Sequence, residues 1–353
     1  TTEAQLVEQF CQVLYMQGEY QALKELVLNK RLDNQVRAYW SALLDFWLQD
    51  YLGIKEFFAA YQPKNTHDCM ICLLANAHLQ EKLEFEQAKQ LLTQYELKTG
   101  ELTLLEIAQA IFDQDYKRVV ELVDASVNDN IWTRDEMRLY KPRLLAAWAL
   151  IALGSYDASY GNISAHNLAV GKDYAGHLLN AQLDYAKGSH QYSIYHIEIL
   201  KEMGASLPVS DYICYLKSLC KTNLVDRLME VAADNLDIVQ TDNELLALWL
   251  KVCLSHKKWN EILRMDLVLD LEQQDEFLYP VILAHYRLGM IDQAYKKLQK
   301  PIPTHPYAYW KLVAEIAWLM EDRELEKYCY RGMIAIYPEH EKKENMAILS
   351  TLK

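Results

Sequence analysis

No stretch of this chain stays apolar for the roughly 18 to 20 residues that a membrane-spanning helix needs. Basic residues are outnumbered, 36 Lys and Arg against 49 Asp and Glu, and the net charge of -13 opposes both a nucleic-acid backbone and an anionic membrane surface. Direct nucleic-acid binding and membrane insertion are therefore not expected. Glycine is scarce, 11 in 353 residues, which argues against a fold whose site sits on long Gly-rich loops. The seven cysteines are odd in number and lack framework spacing. Cys11, Cys214, Cys220, Cys253 and Cys329 each stand beside Val, Ile, Leu or Tyr, as reduced core thiols do, so a reducing, cytoplasmic setting is expected. The chain opens on Thr1-Thr2-Glu3 without Met or signal-peptide pattern, which reads as a processed protein or a piece of a longer one.

Catalytic and ligand motifs are equally thin. There is no His-Glu-x-x-His and no Gly-x-Ser-x-Gly. Gly171-Lys172 ends like a phosphate loop, but Asp173 replaces the Ser or Thr that ligates magnesium, and His166 stands at the first glycine position. Cys69 and Cys72 form a Cys-x-x-Cys beside His67 with no second pair downstream, so they read as a helix core face. Asp266 and Asp270 share a helix face, the pattern of a solvated surface. The expectation is no enzyme, no metal and no cofactor.

What the chain does have is a recurring unit: an apolar helical run, a tight turn, an aromatic or aliphatic residue, and a second, shorter helical run. The turns read Gly18-Glu19-Tyr20, Asp50-Tyr51, Lys82 to Phe85, Asp115-Tyr116, Gly154 to Tyr156, Gly188 to Tyr192, Asn223-Leu224, Lys258-Trp259, Gly289 to Ile291 and Asp322 to Leu325. They fall roughly 31 to 40 residues apart, centred near 34, the period of a two-helix repeat that stacks into a solenoid. First helices are expected near 3–16, 34–48, 67–79, 101–113, 136–153, 174–187, 210–221, 243–256, 276–288 and 306–320. Pro208, Pro280 and Pro306 sit early in three of them, and Pro142 should start or kink a fourth. The segment at about 154–190 carries five glycines and stretches the rhythm, marking an irregular unit.

The last unit is the clearest. With Trp310 at the fourth place of a 34-residue repeat, Val313, Ala314 and Ala317 take the seventh, eighth and eleventh, Tyr330 the twenty-fourth and Pro338 the thirty-second. This resembles the tetratricopeptide repeat. Glu326 and Met333 depart from it where small residues belong, while Ala22, Ala88 and Ala294 keep the small residue in other units. The resemblance implies an all-α fold, a right-handed superhelix of about ten antiparallel helix pairs running as one array over residues 1–353.

It also implies a non-enzymatic scaffold or adaptor whose first helices line a concave, peptide-binding groove. Polar or aromatic residues on those helices are the binding candidates: Arg37, Arg138, Lys141, Arg143, Asn180, Tyr215, Lys217, Trp249, Lys251 and Tyr279. Lys141, Arg143 and Asn180 loosely imitate the family's clamp for a terminal carboxylate without its motif. The basic and aromatic set predicts a protein or peptide partner that is acidic or bears a free carboxylate. The 24 tyrosines, about twice the usual share, also suit a groove that grips extended peptides. Two other readings are compatible: the partner-binding or sensor part of a larger transcriptional regulator, and an (α/α)6 carbohydrate-active enzyme, which the short turns disfavour.

Overall fold

The computed structural model describes residues 3–17, 19–28, 32–47, 50–171, 173–204, 207–233, 235–269, 275–337 and 339–352. Gly18, Lys172, Asp270 and Pro338 lie outside them. All regular elements among the described residues are helices, and the chain divides into two compact units, Thr1–Thr222 and Asn223–Lys353.

In the first unit, α1 (Glu3–Gln17) pairs with α2 (Tyr20–Val27), α3 (Asn34–Trp47) with α4 (Tyr51–Ala60), α5 (Thr66–Leu79) with α6 (Lys82–Leu92), and α7 (Thr99–Phe112) with α8 (Tyr116–Asn128). A short α9 (Arg134–Tyr140) precedes the pairs α10 (Pro142–Ala152) with α11 (Tyr156–Val170) and α12 (Tyr174–Ala186) with α13 (His190–Glu202), and α14 (Val209–Lys221) closes the unit. The second unit holds α15 (Val225–Ala233) and α16 (Leu236–Thr241). Its pairs are α17 (Asn243–Ser255) with α18 (Trp259–Leu269), α19 (Asp275–Arg287) with α20 (Ile291–Lys296), and α21 (Tyr307–Leu319) with α22 (Arg323–Ile336), ending on α23 (Lys342–Thr351). Neighbours in sequence pack as neighbours in space, so the architecture is an all-α, solenoid-like helical repeat.

One kind of turn joins the two helices within a pair. Gln80, Gln114, Gly154, Gly188, Lys257, Gly289 and Glu321 occupy the left-handed region, with φ between 56° and 76°. The next amide reaches back five residues to a carbonyl: Glu81 to Asn76 at 3.0 Å, Asp115 to Ala110 at 2.9 Å, Ser155 to Leu150 at 2.8 Å and Asp322 to Ala317 at 2.9 Å. This is the Schellman closure, which satisfies carbonyls that a helix end leaves bare. Where the following residue is Asp it also caps the next helix, as Asp50 does for Gly53 N, Asp115 for Arg118 N and Asp322 for Leu325 N. The aromatic after it packs on the following pair. Tyr51 stacks on His78 at 4.1 Å and Tyr116 meets Trp148 edge-on at 5.3 Å. The Asp-Tyr signature is thus a cap followed by an inter-repeat contact.

Three local outcomes refine the sequence reading. The long helix expected over 136–153 is two, because Pro142 has no amide to donate and Lys141 before it turns left-handed at φ 50°. Pro208 and Pro306 are N-caps, whereas Pro280 lies inside α19. The glycine-bearing segment spans two pairs, α11 packing on α10 and α12 on α13, with Gly171 at φ 107° in the connection between them.

The close crossing in the last pair is made by Gly332. A β-carbon there would lie 2.1 Å from Trp310 Cζ3, in a core that holds Val313, Ala314, Cys329 and Met333. Glu326 is buried at 1% exposure and held by Arg323 at 2.9 Å, so the carboxylate at the expected small-residue position is neutralised in place. Lys297 pairs with buried Asp266 at 3.1 Å.

Within the first unit the chain also meets itself at long range. Tyr20 lies against Tyr174 with ring centroids 4.1 Å apart, and Lys24 donates to the Gly204 carbonyl. Tyr51 is close enough to Asp211 for that carboxylate, after burial, to help raise its phenol pKa.

Candidate binding cleft on the inner helices of the first unit

Residues of α1, α3, α5, α7 and α9 enclose a cleft of about 850 Å³. On α1, Gln5, Glu8, Gln12 and Tyr15 recur at three- and four-residue steps and form one stripe. Tyr39, Trp40 and Leu43 of α3 supply the floor, Asn65, Thr66 and His67 the start of α5, and Glu101 and Leu139 the far wall.

The floor is a connected set of rings. Trp40 meets Tyr15 edge-on at 5.9 Å and Tyr39 at 5.4 Å, and Tyr15 meets His67 at 6.1 Å. A buried carboxylate sets their orientation. Asp68, 1% exposed, accepts from Tyr39 Oη at 2.9 Å and from the Lys64 amide at 3.0 Å, and its own amide donates to the Asn65 side chain that caps α5. Burial first, then Asp68, holds the Tyr39 phenol well above its ordinary pKa. His67 Nδ1 lies 3.4 Å from Tyr140 Oη. Burial lowers the His67 imidazole to about 4 against the opposing pull of Asp68, so it is neutral at physiological pH. Trp40 Nε1 and His67 Nε2 are buried and have no hydrogen-bond partner among the described residues.

None of the ten residues nominated from sequence is among those described as lining this cleft. Arg37 turns to the Leu32 carbonyl at 3.1 Å, and Arg138, Arg143 and Asn180 are half-buried. Lys141 is buried and joins Asp173 at 2.9 Å, with His166 Nε2 on the same oxygen at 3.3 Å. Burial alone would raise the Asp173 carboxyl, but Lys141, His166 and the Gly176 amide hold it below the usual carboxylate range. Tyr215 is a core residue at 0% exposure that donates to Glu198, and Lys217 is buried at 8%. Trp249, at 1%, belongs to the core of the second unit, where Lys251 is exposed. Tyr279 lines a separate hollow of about 320 Å³ with Ile302, His305 and Tyr309.

Five of the cysteines are buried and two half-buried. Burial raises Cys69 to about 11 and Cys72 to about 12, so both are protonated at neutral pH. No helix among the described residues is long and apolar enough to cross a membrane.

Polar and aromatic interruptions of an apolar first helix, the pattern that nominates the ten residues, do not mark the residues of this cleft. The available signal was the glutamine-rich stripe on α1 one turn away from its apolar positions. A comparison with known families finds no family model that matches this chain, and a comparison with curated proteins finds no match either.

Proposed function

We propose that this protein is a non-enzymatic scaffold or adaptor of the tetratricopeptide type, working in the cytoplasm, that holds an extended protein segment in the inner cleft of its first unit. One observation carries the reading: first helices of successive pairs enclose a cleft of about 850 Å³ with an aromatic floor and amide-bearing walls. Tyrosine and tryptophan give contact area at low entropy cost, and glutamine side chains adapt their hydrogen bonds to a peptide backbone. This is the chemistry of recognition. The repeated turn and the Trp310 crossing support the family assignment.

The test is obstruction. Gln12 is exposed on the cleft wall, so Gln12→Trp fills the space without touching the core. The full-length variant is expected to keep its far-UV circular dichroism and to lose the partners that the wild type retains from a native extract. Unchanged retention by the folded variant would falsify the cleft assignment.

A further inference from the structure

The charge of the cleft identifies the class of segment it takes. Resting on the scaffold reading above, we infer that the cleft binds a peptide segment through an arginine side chain, rather than an acidic or carboxylate-terminated one. Glu8 stands on the α1 wall and Glu101 at the start of α7, and among the described residues no lysine or arginine lines the space. His67 is neutral and adds no positive charge. The cations that could have favoured an anionic ligand are engaged elsewhere: Lys141 on Asp173 and Arg37 on a main-chain carbonyl.

The floor favours arginine over lysine. A guanidinium is planar and weakly hydrated, so it stacks on tyrosine and tryptophan faces while its fork of donors reaches a carboxylate bidentately. Tyr15, Tyr39 and Trp40 offer the faces, Glu8 and Glu101 the acceptors. Trp40 Nε1 is a buried donor still lacking an acceptor among the described residues, which a peptide carbonyl supplies when the segment enters. The net charge of -13 steers a cationic segment inward over the distance that salt screening allows.

The experiment uses labelled dodecapeptides on one Gly/Ser/Tyr frame, carrying three arginines, three glutamines or three glutamates, titrated by fluorescence anisotropy with the full chain. The Glu8→Gln/Glu101→Gln double variant is run beside the wild type. Gln at 101 keeps the acceptor that caps α7 through the Lys98 amide, so the fold is preserved. The arginine peptide is expected to bind roughly tenfold or more tightly than the glutamine peptide, to lose that advantage in the variant and in high salt, and to outcompete the glutamate peptide entirely. Equal binding of arginine and glutamine peptides, or preference for glutamate, overturns the charge assignment while leaving the scaffold reading to stand on Gln12→Trp. Absence of binding by all three overturns this inference alone, because partner retention from extract is measured independently.

Discussion

Replacing Gly332 with alanine adds one methyl group where the last helix pair has no room for it. The β-carbon would stand 2.1, 2.5 and 2.9 Å from three atoms of the Trp310 ring, which must retreat by about 1.3 Å to regain an ordinary 3.4 Å contact. The ring has little freedom to do so. It is 1% exposed, packed in the Val313, Ala314, Cys329 and Met333 core, and stacked with Tyr328 at 5.7 Å and 22°. Overpacking of this kind costs about 1 to 3 kcal/mol, and alanine returns about 1 kcal/mol of helix propensity, so a net loss of up to about 2 kcal/mol is expected. Gly161 is the internal control, since it is exposed in α11 with nothing within 4 Å of a built β-carbon. There the same substitution should stabilise by about 1 kcal/mol. Urea unfolding of the full chain, followed by circular dichroism, reads both. Trp310→Phe removes the ring that causes the overlap, so in that background Gly332→Ala should become harmless, a coupling of about 1 to 3 kcal/mol. If Gly332→Ala and Gly161→Ala shift the unfolding curve in the same direction, the crossing is not where the structure puts it.

Ala294 is fully buried at the α20 crossing, and Ala294→Leu should cost roughly 1 to 3 kcal/mol in the same assay. Lys297→Ala should be costly too, by roughly 1 to 3 kcal/mol, because it strips a partner from buried Asp266. Asp173→Asn keeps an acceptor for the Gly176 amide but removes the charge between Lys141 and His166, and a loss of about 3 kcal/mol in thermal or urea unfolding is expected. Burial lowers the folded-state pKa of His67 to about 4 and of His78 to about 3. The unfolded chain therefore takes up these protons first, near pH 6.5, and stability falls as pH drops from there toward 4 and 3, by about 3 kcal/mol for His67. His78 lies flat on Tyr51, and its buried Nε2 has no partner among the described residues, so His78→Phe should preserve the stack and flatten the acid limb of a pH-stability profile.

The helices were legible because their signals are local. Apolar spacing, the Asp-Tyr turns and the 34-residue period placed nearly every first helix within two residues of where it lies. The break at Pro142 was half visible: proline fixes its own φ and disfavours helix in the residue before it, but only packing shows that Lys141 turns left-handed there. The candidate site was not legible in the same way. Lys217 and Tyr215 look like groove residues because they interrupt an apolar run, yet a helix covered on several sides buries them. Which face of a first helix stays open depends on how the pairs wind, and that winding arises from contacts such as Tyr20 with Tyr174 that no short window contains.

That same contact constrains the repeat number of the first unit. In a solenoid whose pairs touch only their neighbours, a pair is gained or lost at the cost of one interface, and the rest of the array is indifferent. Here the first pair is anchored on the sixth through Tyr20 and Tyr174 and through Lys24 and the Gly204 carbonyl, across more than 150 residues. Deleting one pair between them would not simply shorten the unit. It would present Tyr20 with the wrong partner and leave two large aromatic faces bare, so this contact constrains the number of intervening pairs. That contact has a high sequence separation, whereas the helices it joins are individually local structures.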